Sequence, residues 1–220
     1  MYQHTWKTGD NALLSVGKVV CIGRNYAEHA KELNNPIPDE PVLFLKPSTA
    51  LVSADVPLLL RAPLAPIHYE AELSILIGKT LTNATAEQAD DAIVGIGVAL
   101  DLTRREVQSE LKAKGLPWEL AKAFDGSCVQ SPFVPYQYDL AATEYGLDIN
   151  GEARQRGDTA LMITPVLTLL SHVSQYFTLL PGDIVLTGTP KGVGQLNGGD
   201  ELTLTLSGDV LAQCRCETSA

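Results

Sequence analysis

The segment His68 to Gly78, HYEAELSILIG, alternates Leu73, Ile75 and Ile77 with Glu70, Glu72 and Ser74, a period of two that predicts a strand. Side chains two apart on a strand point the same way. Glu70 and Glu72 therefore hold like charges side by side, which costs free energy unless something positive lies between them. Downstream, AIVGIGVALDLT reads as a Gly-spaced strand ending in Asp101, and TRREVQSELKAKG sets Thr103 and Glu106 at capping-box spacing before stopping at Gly115, which predicts a helix. Upstream, KVVCIGRNYAEHAKELNN reads as a short strand, a turn at Gly23 and a polar helix from about Asn25 to Leu33. The next segment, EPVLFLKPSTALV, is apolar throughout Val42 to Leu45, the pattern of a strand buried on both faces, with Lys46 at its end.

Toward the C-terminus, Asn150-Gly151 between an apolar and a polar run predicts a hairpin. Thr164 as N-cap and Pro165 at the first helical position predict a second helix. The tail from Leu179 is short strands punctuated by Gly and Pro. Strands outnumber helices and do not alternate with them, so the fold class is α+β with a dominant sheet, against a βαβ dinucleotide fold. No linker or repeat interrupts the chain, which predicts an N-terminal segment over 1–17 and one domain over 18–218, with disorder only at the two ends.

At 220 residues the chain can bury a sizeable core. Its 16 basic and 26 acidic residues give a formal charge of −10, which argues against a phosphate-backbone partner. No run approaches a membrane span, and residues 1–10 lack the basic and apolar regions of a signal peptide, so a cytoplasmic location is expected. Cys21, Cys128, Cys214 and Cys216 do not form the paired spacing of a zinc site and read as reduced thiols.

A hard cation such as Mg²⁺ takes one to a few carboxylates and keeps positions for water and substrate oxygens. Asp101, where an apolar strand meets a helix start, is the candidate third carboxylate beside Glu70 and Glu72. By itself the Glu-x-Glu pair reads more readily as a solvated sheet face. His29 and Glu32, spaced i, i+3 on the predicted helix, form either an imidazole–carboxylate base or a surface pair. Lys122, among apolar neighbours in WELAKAFD, either snorkels from a buried segment or points into a cleft. His68 is at best a neighbour of the metal ligands, since imidazole is a softer partner than Mg²⁺ takes, and His172 reads as a packing residue.

The motifs GRNYAEHAKE, EPVLFLKP, HYEAEL, ALDLTRREVQ, LPWELAKAFD and LTGTPKGVG, in that order from about Lys18 to Leu206, resemble the fumarylacetoacetate hydrolase family, in its short single-domain branch of acylpyruvases and related 2-oxo acid enzymes. The resemblance implies a mixed β-sandwich roll with a few peripheral helices, usually dimeric. It implies Mg²⁺ or Mn²⁺ on Glu70, Glu72 and Asp101, and His29 with Glu32 on a lid helix over about 24–34, with Gly23 as its hinge. Lys122 is implied to stabilise an enolate oxygen, and Lys46, Arg24, Gln108 and Thr189 to bind a small 2-oxo acid. The implied reaction is cleavage of the C3–C4 bond through a pyruvate enolate. Acylpyruvate hydrolysis is expected first, because a water-activating dyad distinguishes it from oxaloacetate decarboxylation, tautomerisation or double-bond isomerisation. A non-catalytic, metal-dependent acid-binding protein is the reading from another class.

Overall fold

The computed structural model describes residues 2–219. The first half of the chain contributes β1 (Val19–Gly23), α1 (Ala27–Glu32), β2 (Val42–Lys46), β3 (Leu51–Ser53), β4 (Leu58–Arg61), β5 (His68–Tyr69), β6 (Ala71–Ile77), α2 (Ala86–Ala92), β7 (Ile93–Asp101), α3 (Arg105–Ala113) and α4 (Glu119–Lys122). The second half adds β8 (Cys128–Gln130), β9 (Val134–Pro135), β10 (Glu144–Ile149), β11 (Glu152–Asp158), α5 (Val166–Tyr176), β12 (Ile184–Leu186), β13 (Gly194–Gln195), β14 (Glu201–Leu206) and β15 (Asp209–Ser219). An eight-stranded mixed sheet runs β2-β1-β12-β6-β7-β8-β3, with β9 added to β7. A five-stranded sheet runs β11-β10-β14-β15-β4, and β13 pairs with β5. The expected sheet-dominated α+β class is what the chain adopts.

Parity along β6 explains the layering. Leu73, Ile75 and Ile77 point into a core shared with Leu147, Leu202, Leu204 and Leu206 of the second sheet. Leu76, on the opposite parity with Glu70, Glu72 and Ser74, packs in a second core with Val19, Cys21, Ala99 and Phe133. That second core is roofed by Tyr2, Trp6, Leu14 and Val16, so residues 2–17 are docked, against the expected disorder of the N-terminal end. His4 is 1% exposed and its Nε2 lies 2.9 Å from the Gly182 carbonyl.

Several boundaries differ from expectation. β2 is an edge strand paired only with β1, and its residues up to Phe44 are half-buried with Leu45 exposed. Its apolar run packs under helical segments rather than between strands. α1 begins at Ala27, two residues late, with an extended Tyr26 as N-cap and Asn25 tied elsewhere: its amide donates to the Thr164 and Thr187 carbonyls and accepts from Thr164 N–H. The second predicted helix starts at Val166 with Pro165 as N-cap, since Thr164 is taken by the same Asn25 contact. α3 has no side-chain cap. The observed capping box is at Thr85 and Gln88 of α2, a Thr-x-x-Gln signal that the sequence reading passed over. The hairpin is as expected, with Asn150 and Gly151 both at positive φ (55° and 78°). All four cysteines are free. Among the described residues no helix is long and apolar enough to cross a membrane.

Burial pushes the pKa of His4 down, outweighing its bond to Gly182. The folded state therefore holds the neutral imidazole while the unfolded chain takes a proton below about pH 6.5, so the stability tied to His4 is present above that pH and lost as pH falls. His4→Gln is expected to show a smaller drop in Tm than wild type between pH 7.5 and 5.5. Parallel pH–Tm curves would show that His4 carries none of the acid sensitivity.

Candidate active site

Strand pairing brings the three carboxylates together. Glu72 lies opposite Ala99, Ala71 opposite Leu100, and Asp101 N–H donates to the Glu70 carbonyl at 2.8 Å. Glu70 and Asp101 are thus cross-strand neighbours at the ends of β6 and β7, with Glu72 on the diagonal. One oxygen from each lies within 4.8 Å of the others, and the residues are 5%, 1% and 1% exposed. A solvated sheet face is thereby excluded.

The positive partners are unevenly shared. Lys122, at the end of α4, donates to Glu70 Oε2, Asp101 Oδ2 and Thr103 Oγ1, each at 2.7 Å. Burial opposes its charge, but Asp101 and Glu70 outweigh that and push its pKa up to about 12. All three of its N–H bonds are taken, so it faces the cavity as a fixed cation, stacked 5.1 Å over the Phe44 ring. Arg105 on α3 pairs with Glu70 and donates to Gln108 at 2.8 Å. Burial favours neutral Glu70, yet Lys122 and Arg105 hold its carboxyl well below the usual range. Glu72 receives only the Gly188 N–H at 2.6 Å, and burial together with Asp101 and Glu70 drives its pKa well above the usual range.

Lys46 differs from its expected place. Fully buried behind the triad, it pairs with Asp101 Oδ1 at 2.8 Å and contacts the Lys122 carbonyl and Ser127 Oγ. It does not line the cavity, so its geometry suits orienting Asp101 rather than touching an acid. Asp101 thus carries a lysine on each oxygen, Lys46 on Oδ1 and Lys122 on Oδ2.

Arg24, His29, Gln108 and Thr189 line the same cavity as the triad and Lys122. His29 Nδ1 lies 3.2 Å from Glu32 Oε2, and the other Glu32 oxygen accepts from Gly192 N–H at 3.0 Å. Gly23 is paired with Val42 inside β1. The left-handed residue at the base of α1 is Arg24, with φ 63°, so the conformational break expected at Gly23 falls one residue later. Thr189 Oγ1 donates to the Ala71 carbonyl and accepts from Gln155, both at 2.8 Å, so its proton is not free for an acid.

His68 lies outside the cavity lining, its backbone paired with Thr103. His172 is half-buried with its ring 5.2 Å from Tyr176, as a packing residue. Sequence reasoning missed Arg105, Thr103 and the Gly188 N–H. Arg105 sits four residues after Asp101 on the next helix, a signal that only the pairing with Glu70 makes specific.

With this geometry in view, comparison with known proteins is decisive about the class. Residues 18–217 match the model described as fumarylacetoacetate (FAA) hydrolase C-terminal. The chain belongs to the fumarylacetoacetate hydrolase family, and it is an enzyme. It is 51% identical over 217 residues to oxaloacetate tautomerase YcgM of Escherichia coli (strain K12), covering 96% of this chain and 98% of that one. It is 43% identical over 216 residues to the mitochondrial oxaloacetate tautomerase FAHD1 of Rattus norvegicus, covering 97% and 95%. Among solved structures, fumarylpyruvate hydrolase from Pseudomonas aeruginosa in complex with Mn²⁺ and pyruvate superposes with a TM-score of 0.90 at 35% identity, covering 99% of this chain and 96% of that one.

The charge layout gives a direct test. Glu72→Gln removes the carboxylate whose ionisation is most opposed by its surroundings, so the metal-free variant is expected to melt at or above the wild-type temperature. Added Mn²⁺ is expected to raise Tm in wild type but not in Glu72→Gln, by linkage. An equal Mn²⁺-dependent rise in both proteins would show that the ion binds elsewhere.

Proposed function

We propose that this enzyme interconverts the enol and keto forms of a short 2-oxo dicarboxylate of the oxaloacetate type, with Mg²⁺ or Mn²⁺ held by Glu70, Glu72 and Asp101. The observation that carries the reading is the buried carboxylate triad with its uncompensated member, Glu72, in a cavity that also holds an oriented imidazole. The identity to proteins named oxaloacetate tautomerase supports the choice of reaction.

The donor set suits a hard cation: oxygen ligands only, buried, and including one carboxylate, Glu72, that no cation pairs. When bound, such an ion stabilises negative charge developing on the 2-oxo oxygen. Lys122 adds a fixed positive charge beside that oxygen's position. His29 turns Nδ1 to Glu32, which leaves Nε2 to carry a proton to or from C3. Glu32 selects the ring tautomer and steadies its orientation. Arg24, Arg105 and Gln108 supply donors for substrate carboxylates. Tautomerisation needs no attacking water, only proton exchange at C3 and at the enol oxygen.

Acylpyruvate hydrolysis is the second reading. It is favoured by one observation, the His29–Glu32 pair, which is also the arrangement that activates water, and by the likeness to a fumarylpyruvate hydrolase. Oxaloacetate decarboxylation would use the same charge stabilisation with no base for water. We also assign a homodimer, a reading supported by exposed Leu45, Leu116 and Leu120 around β2 and α4. Light scattering at micromolar concentration is expected to give twice the 23.6 kDa chain mass.

Loss of the ultraviolet absorbance of enol-oxaloacetate, read beside cleavage of acetylpyruvate, separates the two reactions. The wild type with Mg²⁺ is expected to turn over oxaloacetate enol with the higher kcat/KM, and EDTA to abolish turnover. His29→Ala is expected to lose about 10²–10⁴-fold, and Glu32→Gln less, because the imidazole stays. Faster cleavage of acetylpyruvate than tautomerisation of oxaloacetate would overturn the first reading in favour of the second.

A further inference from the structure

We infer that Gln155 is a positioning residue for the two glutamates of the triad, a role that rests on the proposed cation at Glu70, Glu72 and Asp101. Gln155 belongs to β11, in the sheet that supplies none of the triad, and is 1% exposed. Its side chain crosses to the eight-stranded sheet. There Oε1 accepts from Ala71 N–H at 2.8 Å, while Nε2 donates to Thr189 Oγ1 and to the Pro190 carbonyl, both at 2.8 Å. Thr189 Oγ1 in turn donates to the Ala71 carbonyl at 2.8 Å. A closed ring results, in which both polar groups of Ala71 are held by side chains.

Ala71 is the residue between Glu70 and Glu72, so the ring grips the backbone from which both carboxylates project. The grip is needed because the ladder fails there. β12 pairs with β6 only over Ser74 to Leu76, so Ala71 has no strand neighbour on that side. Gln155 and Thr189 take the place of the missing strand, and they do so where repulsion between carboxylates would otherwise spread the chain. The register of β11 on β10 supports the reading: Leu147 pairs with Gln155 but Asp148 with Ala153, leaving Arg154 as a bulge next to Gln155. Bulges re-aim adjacent side chains. The loop held by Gln155 continues to Gly192, which packs on the Arg154 carbonyl so closely that a Cβ would lie 2.3 Å from that oxygen, and whose N–H binds Glu32. The same contact therefore sets the seat of the Glu32 carboxylate.

The test is Mn²⁺ affinity of the whole metal-free enzyme, from the electron paramagnetic resonance signal of free Mn²⁺, read beside the Tm of the metal-free protein. Gln155→Leu keeps the side chain's approximate size and removes all three hydrogen bonds. It is expected to weaken Mn²⁺ binding by about 10–100-fold, the usual effect of losing a group that orients metal ligands. A folded Gln155→Leu that binds Mn²⁺ within twofold of wild type overturns the role, even if its Tm falls. Should Gln155→Leu not fold, Thr189→Val opens the ring at a second point. It is expected to weaken Mn²⁺ in the same direction, with Thr189→Ser, which keeps the hydroxyl, within twofold of wild type. Wild-type affinity in Thr189→Val overturns the role in that case. A wild-type enzyme that binds no Mn²⁺ removes the metal reading and this one with it, whereas wild-type binding with unchanged variants removes only the role of Gln155.

Discussion

The constraint on which this structure depends is electrostatic: three carboxylates share a buried space less than 5 Å across. Two unit charges 4.8 Å apart repel by about 3.5 kcal/mol at an effective dielectric of about 20, and here there are three such pairs. The fold answers with cations on separate elements, Lys122 from α4, Arg105 from α3 and Lys46 from β2. Lys46 is four steps from β7 in strand order, about 19 Å if the sheet were flat. Its contact with Asp101 requires the sheet to curl. The roll is therefore tied to the charge balance of the site as well as to the burial of its two apolar faces.

None of these cations contacts Glu72. That asymmetry leaves one carboxylate of the triad with a backbone N–H as its hydrogen-bond donor and no positive partner. Lys122 illustrates the compromise: it neutralises the deep side of the cavity while remaining a fixed charge at its floor. Glu70 and Asp101 each keep two cationic partners, Lys122 with Arg105 and Lys122 with Lys46, so loss of one cation still leaves both of these buried carboxylates paired.

The covering elements follow a different logic. α1 has six residues, too few for intrinsic helical stability, so its position comes from contacts at its ends. Glu32 uses one oxygen on His29 and the other on Gly192, so a single carboxylate both orients the imidazole and docks the helix. Orientation of the imidazole and docking of the helix are thereby coupled through one side chain.

Local pattern alone determined much of this protein. The period-two alternation placed Glu70 and Glu72 on one strand face, the strand–helix junction marked Asp101, and Asn150-Gly151 marked the hairpin, because backbone geometry converts such spacings directly into direction. Family motifs added His29, Glu32 and Lys122. What stayed hidden depends on contacts between residues far apart in the chain. β2 reads as a strand buried on both faces yet lies at an edge with Leu45 exposed, because among the described residues β1 is the one strand that pairs with it. Thr103 has the spacing of a cap yet bonds Lys122, because tertiary packing offered its hydroxyl a charged donor. Lys46 turned inward to Asp101, Arg105 closed on Glu70, and Gln155 reached Ala71 from the other sheet. The sequence determined which residues share a strand face or a helix turn; only the closed tertiary structure decided which charges meet, because Coulomb and hydrogen-bond partners are chosen by distance in space and not along the chain.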